Sequence, residues 1–136
     1  SSDLCLGDKD NDTIVSALKI ILLYTDIDIY KKNFNNNEGD NIYHQELINN
    51  NLIFRIVRIY KQGISTMDVI IVKILLNLFQ NNALHDTLFN NNMILILENY
   101  LQVFANELNE EVIQTVFDIF KLIIDRLKED LKIKIF

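Results

Sequence analysis

HQELINNNLI occupies His44–Ile53, and HDTLFNNNMI occupies His85–Ile94. The two histidines are 41 residues apart, and the correspondence runs without gaps well beyond the quoted stretch. Leu47 falls on Leu88, and Asn49, Asn50 and Asn51 fall on Asn90, Asn91 and Asn92. Ile53 falls on Ile94, Ile56 on Leu97 and Met67 on Leu108. Further on, Ile71, Val72, Leu75, Leu76, Leu78 and Phe79 fall on Val112, Ile113, Val116, Phe117, Ile119 and Phe120. The polar residues Lys73, Asn77 and Gln80 fall on Gln114, Asp118 and Lys121. Two unrelated amphipathic helices align almost as well at a shift of three or four, because both share the 3.6-residue period. They would not also align the asparagine breaks and the histidines. The chain is therefore read as a repeat, with a period in the range of stacked helical arrays.

Each unit divides into three predicted helices. The first spans Tyr43–Ile48 and Ala83–Phe89, and the asparagine triplet that follows lets the chain bend, since Asn caps helices and tolerates turns. The second spans Leu52–Gln62 and Met93–Ala105, with Gly63 ending the former copy. The third spans Met67–Gln80 and Leu108–Asp125, and Ser65 or Thr66 can cap its first copy. A partial unit comes earlier: TIVSALKIILLYTD, Thr13–Asp26, resembles the third helix at an offset of 54, with Ala17, Leu18, Ile21 and Leu22 in the core positions. The excess of 13 residues over one period fits the segment IDIYKKNFNNNEG, Ile27–Gly39. The expected organisation is an acidic leader, residues 1–10, flexible or left from cloning, then a repeat domain, residues 11–136. Within that domain lie a partial unit 11–42 with an inserted loop 35–42, full units 43–82 and 83–125, and a cap or the start of another unit over 126–136.

Composition agrees with an all-helical chain. Its 136 residues suffice for one domain with a core, and a hydrophobic fraction of 49% argues against disorder. Proline is absent and glycine occurs three times, too few turn residues for a sandwich or barrel. Abundant asparagine and isoleucine follow from codon drift, which fills loops with asparagine but does not space them evenly. The net charge of −6 argues against nucleic acid as a partner, because phosphate binding needs a basic excess. The lone cysteine, Cys5, has no partner for an internal disulfide, so an intracellular, cytoplasmic location is expected. No apolar run approaches the roughly 18 residues of a membrane span, and no signal peptide is recognisable.

ILLNLF, Ile74–Phe79, resembles the third helix of an armadillo repeat, whose pattern runs approximately Ala-Leu-x-Asn-Leu; Leu75, Leu76, Asn77 and Leu78 carry the likeness. The similarity covers nearly all of Asn11–Asp125 as a pattern, and HEAT repeats share the same grammar. The resemblance implies a right-handed α-solenoid whose third helices line a concave groove, the alternative being a compact helical bundle. It also implies that Asn77 holds the main chain of an extended peptide. Asp118 and Leu23 stand at the matching positions of the neighbouring units, and Lys73 stands where an aromatic is often found.

The faces of the third helix lead to the same surface. From Val69 to Phe79 the helix is apolar almost all round, as a helix flanked on both sides must be. One narrow polar strip remains, Lys73, Asn77 and Gln80, at i, i+4 and i+7, which places the three above one another. Gln114, Asp118 and Lys121 repeat it, and Lys19, Leu23 and Asp26 continue it in the partial unit. Lys19, Asp26, Lys73, Asn77, Gln80, Gln114, Asp118 and Lys121 are the candidate partner-binding residues, and Asn77 leads them because its amide both donates and accepts. The bland reading of the strip is the solvent-facing remainder of a buried helix. Arg55, Arg58 and Lys61 form a basic stripe on the second helix, read as a solvated outer face rather than a phosphate site.

Catalytic chemistry is not in view. The chain has no Gly-rich phosphate loop, no Gly-x-Ser-x-Gly elbow and no His-Glu-x-x-His motif. His44 and His85 occupy equal places in adjacent units, about 10 Å apart by helix spacing, too far to share a metal. Cys5 lies among Asp3, Asp8, Asp10 and Asp12, which disfavour a thiolate, and DKDND at Asp8–Asp12 lacks the glycine and glutamate of a calcium loop. The sequence therefore points to an interaction scaffold that binds an extended peptide or a helix of another protein along the concave face, with no metal, no cofactor and no enzymatic activity. The alternative is a structural repeat segment of a larger protein with no groove ligand of its own. The sequence assigns no oligomeric state.

Overall fold

A computed structural model describes residues 11–29, 42–49, 55, 65–81, 84, 88, 97–99, 101–102 and 109–135. Among these residues the structure is helical with short turns and contains no strand. Four helices are bounded: α1 (Asn11–Thr25), α2 (Ile42–Asn49), α3 (Ser65–Phe79) and α4 (Glu110–Ile135). They coincide to within two residues with the partial third helix, the first helix and the full third helix expected from the repeat, and α4 starts two residues after the expected Leu108. Arg55 and residues 97–99 and 101–102, from the two expected second helices, are helical where described. His85, Gly63, Cys5, Arg58, Lys61, the triplet at Asn90–Asn92 and most of the Ile27–Gly39 insertion lie outside the described residues.

Local chemistry sets the helix ends. At the end of α1, Thr25 Oγ1 donates back to the Leu22 carbonyl at 3.0 Å and the Asp26 amide bonds the Leu23 carbonyl at 3.3 Å. Asp26 Oδ1 then accepts the Ile29 amide at 3.0 Å, a side-chain cap that opens a single helical turn over 27–29. At the start of α4, Asn109 Oδ1 accepts the Val112 amide at 3.2 Å, which satisfies one of the orphan donors of the first turn. Glu110 and Glu111 follow, placed where the helix dipole favours negative charge.

The other end of α4 departs from the expected boundary at Asp125. The helix runs on unbroken to Ile135, so residues 126–135 are an extension of the third helix rather than a separate element. The reason is in the segment itself: Arg126–Ile135 contains no Gly, Pro or Asn, and Arg126 and Asp130 face each other at i, i+4 with 3.7 Å between charges. Among the α4 residues whose burial is described, Ile123 is the last buried one; Ile124, Leu127 and Leu131 beyond it are exposed.

α3 lies between α1 and α4 and packs against both. Met67, Ile71, Ile74, Leu75, Leu78 and Phe79 are fully buried, and they join Ile14 and Leu18 of α1, Leu47 of α2 and Val112, Val116, Ile119 and Ile123 of α4 in one cluster. Leu84, Leu88 and Leu97 complete it. At about 1.5–3 kcal/mol for each large side chain taken fully from water, α3 contributes more to the cluster than any other described helix.

The sides of α3 are used in a fixed order. At 3.6 residues per turn, Ile74, Asn77 and Leu78 share one side of the helix, while Val72, Leu76 and Phe79 share the opposite side. The Asn77 side faces α1, because the Asn77 amide reaches Leu22 and Thr25. Shifted by 54, Val72, Leu76 and Phe79 correspond to Leu18, Leu22 and Thr25 of α1, which are buried or half-buried. Shifted by 41, Ile74, Asn77 and Leu78 correspond to Thr115, Asp118 and Ile119 of α4; the first and last are buried. Leu75 and its repeat counterpart Val116 are both wholly inaccessible and share the core cluster.

Candidate functional site

The strip residues have different fates. Lys73 and Asn77 are half-buried, and Gln80, Gln114, Asp118, Lys121 and Lys19 are exposed. Lys73 Nζ lies 2.6 Å from Glu111 Oε1 and so ties α3 to the first turn of α4. Both partners are substantially exposed, so the pair orients the helices more than it stabilises them, contributing under about 1 kcal/mol. Gln114 Nε2 donates to Asp118 Oδ1 at 3.1 Å within α4, and Asp26 is occupied in capping the turn after α1. Lys73 and Asn77 thus reach the neighbouring helices, while Gln114, Asp118 and Asp26 engage partners in their own helix or the following turn.

Asn77, the leading candidate, holds main chain, but it is the chain's own. Its Nδ2 donates to Thr25 Oγ1 at 3.1 Å and to the Leu22 carbonyl at 3.4 Å. The last turn of α1 carries carbonyls with no helical donor, and an amide from the neighbouring helix supplies one. At the matching position of α4, Asp118 has no amide hydrogens to offer and lies exposed. At Leu23 of α1 the position is apolar and exposed. The cross-helix amide is therefore particular to the α1–α3 junction among the described residues.

Beneath the strip lies a buried polar knot that joins α1, α2 and the end of α3. His44, wholly buried, lies with Nε2 2.6 Å from the Thr25 carbonyl. A carbonyl can only accept, so Nε2 carries the proton. Nδ1 is then the acceptor, and it lies 3.3 Å from Asn81 Nδ2. Both ring nitrogens are satisfied in the neutral form. Burial lowers the pKa of His44 from its ordinary 6.5, and the bond to the Thr25 backbone opposes that shift in part. Thr25 is the hub: its hydroxyl receives Asn77 and donates to Leu22, while its carbonyl receives His44.

Thr25 and Asn81 are not among the residues that the sequence singles out, and His44 enters there as a histidine too distant from His85 to share a metal. The partners lie 19, 37 and 52 residues apart in the chain, and no periodicity encodes such pairings. Arg55 is half-buried on the expected second helix. Among the described residues no group of three or more His, Cys, Asp or Glu side chains is placed to hold a metal ion, and no helix is long and apolar enough to cross a membrane. No protein-family model matches the chain, and neither a curated protein nor a solved structure matches it significantly.

Proposed function

We propose that the chain is an armadillo-like solenoid segment that acts as a protein-interaction scaffold and binds an extended peptide or a helix of another protein across the strip formed by its third helices. The observation that supports this reading is that α3 packs against both α1 and α4, with the Asn77 amide on the end of α1 and Lys73 paired with Glu111 of α4. Helices packed in that order present their remaining faces side by side. Lys19, Gln80, Gln114, Asp118 and Lys121 then form an exposed surface of mixed charge, with Lys73 and Asn77 at its floor. Such a surface suits polar main chain and side chains of both signs rather than a purely acidic or basic ligand.

Selection of binders from a displayed random-peptide library tests the reading. The selected peptides are expected to lose affinity at least tenfold for a Gln80→Ala, Asp118→Ala, Lys121→Ala variant, all three sites being exposed. Peptides that bind the variant as well as the parent would place the interaction elsewhere. A second reading, a structural repeat segment of a larger protein, has its own support in the internal commitments of Asn77, Lys73 and Gln114. Under that reading the library yields no strip-dependent binder.

A further inference from the structure

We draw no further inference here: the strongest candidate, the surface patch along α4 where Phe117, Ile124, Leu127 and Leu131 are exposed, is an apolar helix face, and nothing in the structure shows what covers it.

Discussion

His44 makes the folded chain sensitive to acid, and the sense of the effect follows from its bonds. The neutral ring donates through Nε2 to the Thr25 carbonyl and accepts at Nδ1 from Asn81. A second proton would arrive at Nδ1, where it meets an amide hydrogen, in a site removed from water. The folded pKa is therefore held below the ordinary 6.5, with burial as the main cause and the Thr25 bond acting against it. In the unfolded chain the histidine titrates near 6.5, so the unfolded state takes up the proton first as pH falls. The stability that the neutral ring contributes is complete above about pH 6.5 and is lost between there and the lower folded pKa. One such group can change stability by at most about 1.4 kcal/mol per pH unit, a large step against a total of about 5–15 kcal/mol. Urea unfolding followed by circular dichroism from pH 8 to pH 5, comparing the parent with His44→Gln, isolates the effect. Every other group is common to the two forms, so its contribution cancels in the difference. The variant, a neutral side chain that does not titrate, should be less stable at pH 8 by about 1–3 kcal/mol, the cost of disturbing buried hydrogen bonds, and that deficit should shrink on acidification. Parallel curves from pH 8 to pH 5, or a deficit that grows toward acid, would refute the reasoning.

Two further outcomes test the packing. Leu75→Ala removes a fully buried side chain at the centre of α3 and should cost about 3–5 kcal/mol in urea unfolding; a loss below about 1 kcal/mol would mean that Leu75 does not sit in a closed core. Asn77→Ala should cost only about 1 kcal/mol, because the Leu22 carbonyl keeps its bond from Thr25 Oγ1 and no buried acceptor there is orphaned; a loss above about 3 kcal/mol would show that the amide supports more than the α1–α3 junction.

Which parts of this molecule could be read in advance is clear from single residues. The limits of α1 and α3 were legible because Leu18, Leu75 and Val116 recur on helical spacing, and the repeat offset assigned them equal places. The strip was legible for the same reason: once the apolar positions of α3 are marked, Lys73, Asn77 and Gln80 are what remain. The extension of α4 was missed because repeat length, rather than the absence of any breaker after Asp125, set the expected boundary. Asn77 was read as facing outward to a ligand, and its amide instead faces α1.

The sequence by itself determined the helical character and the apolar positions that α1, α3 and α4 bury, since each depends on periodicity within about twenty neighbours along the chain. Tertiary structure alone decided what the polar groups do. Thr25, His44, Asn77 and Asn81 are ordinary polar residues at unremarkable places in the chain, and they become a single hydrogen-bonded knot because three helix ends meet. Burying apolar surface is non-directional, so a pattern of residue types is enough to foresee it. A hydrogen bond needs one donor and one acceptor about 3 Å apart at a favourable angle, and that condition exists only after the helices have been brought together.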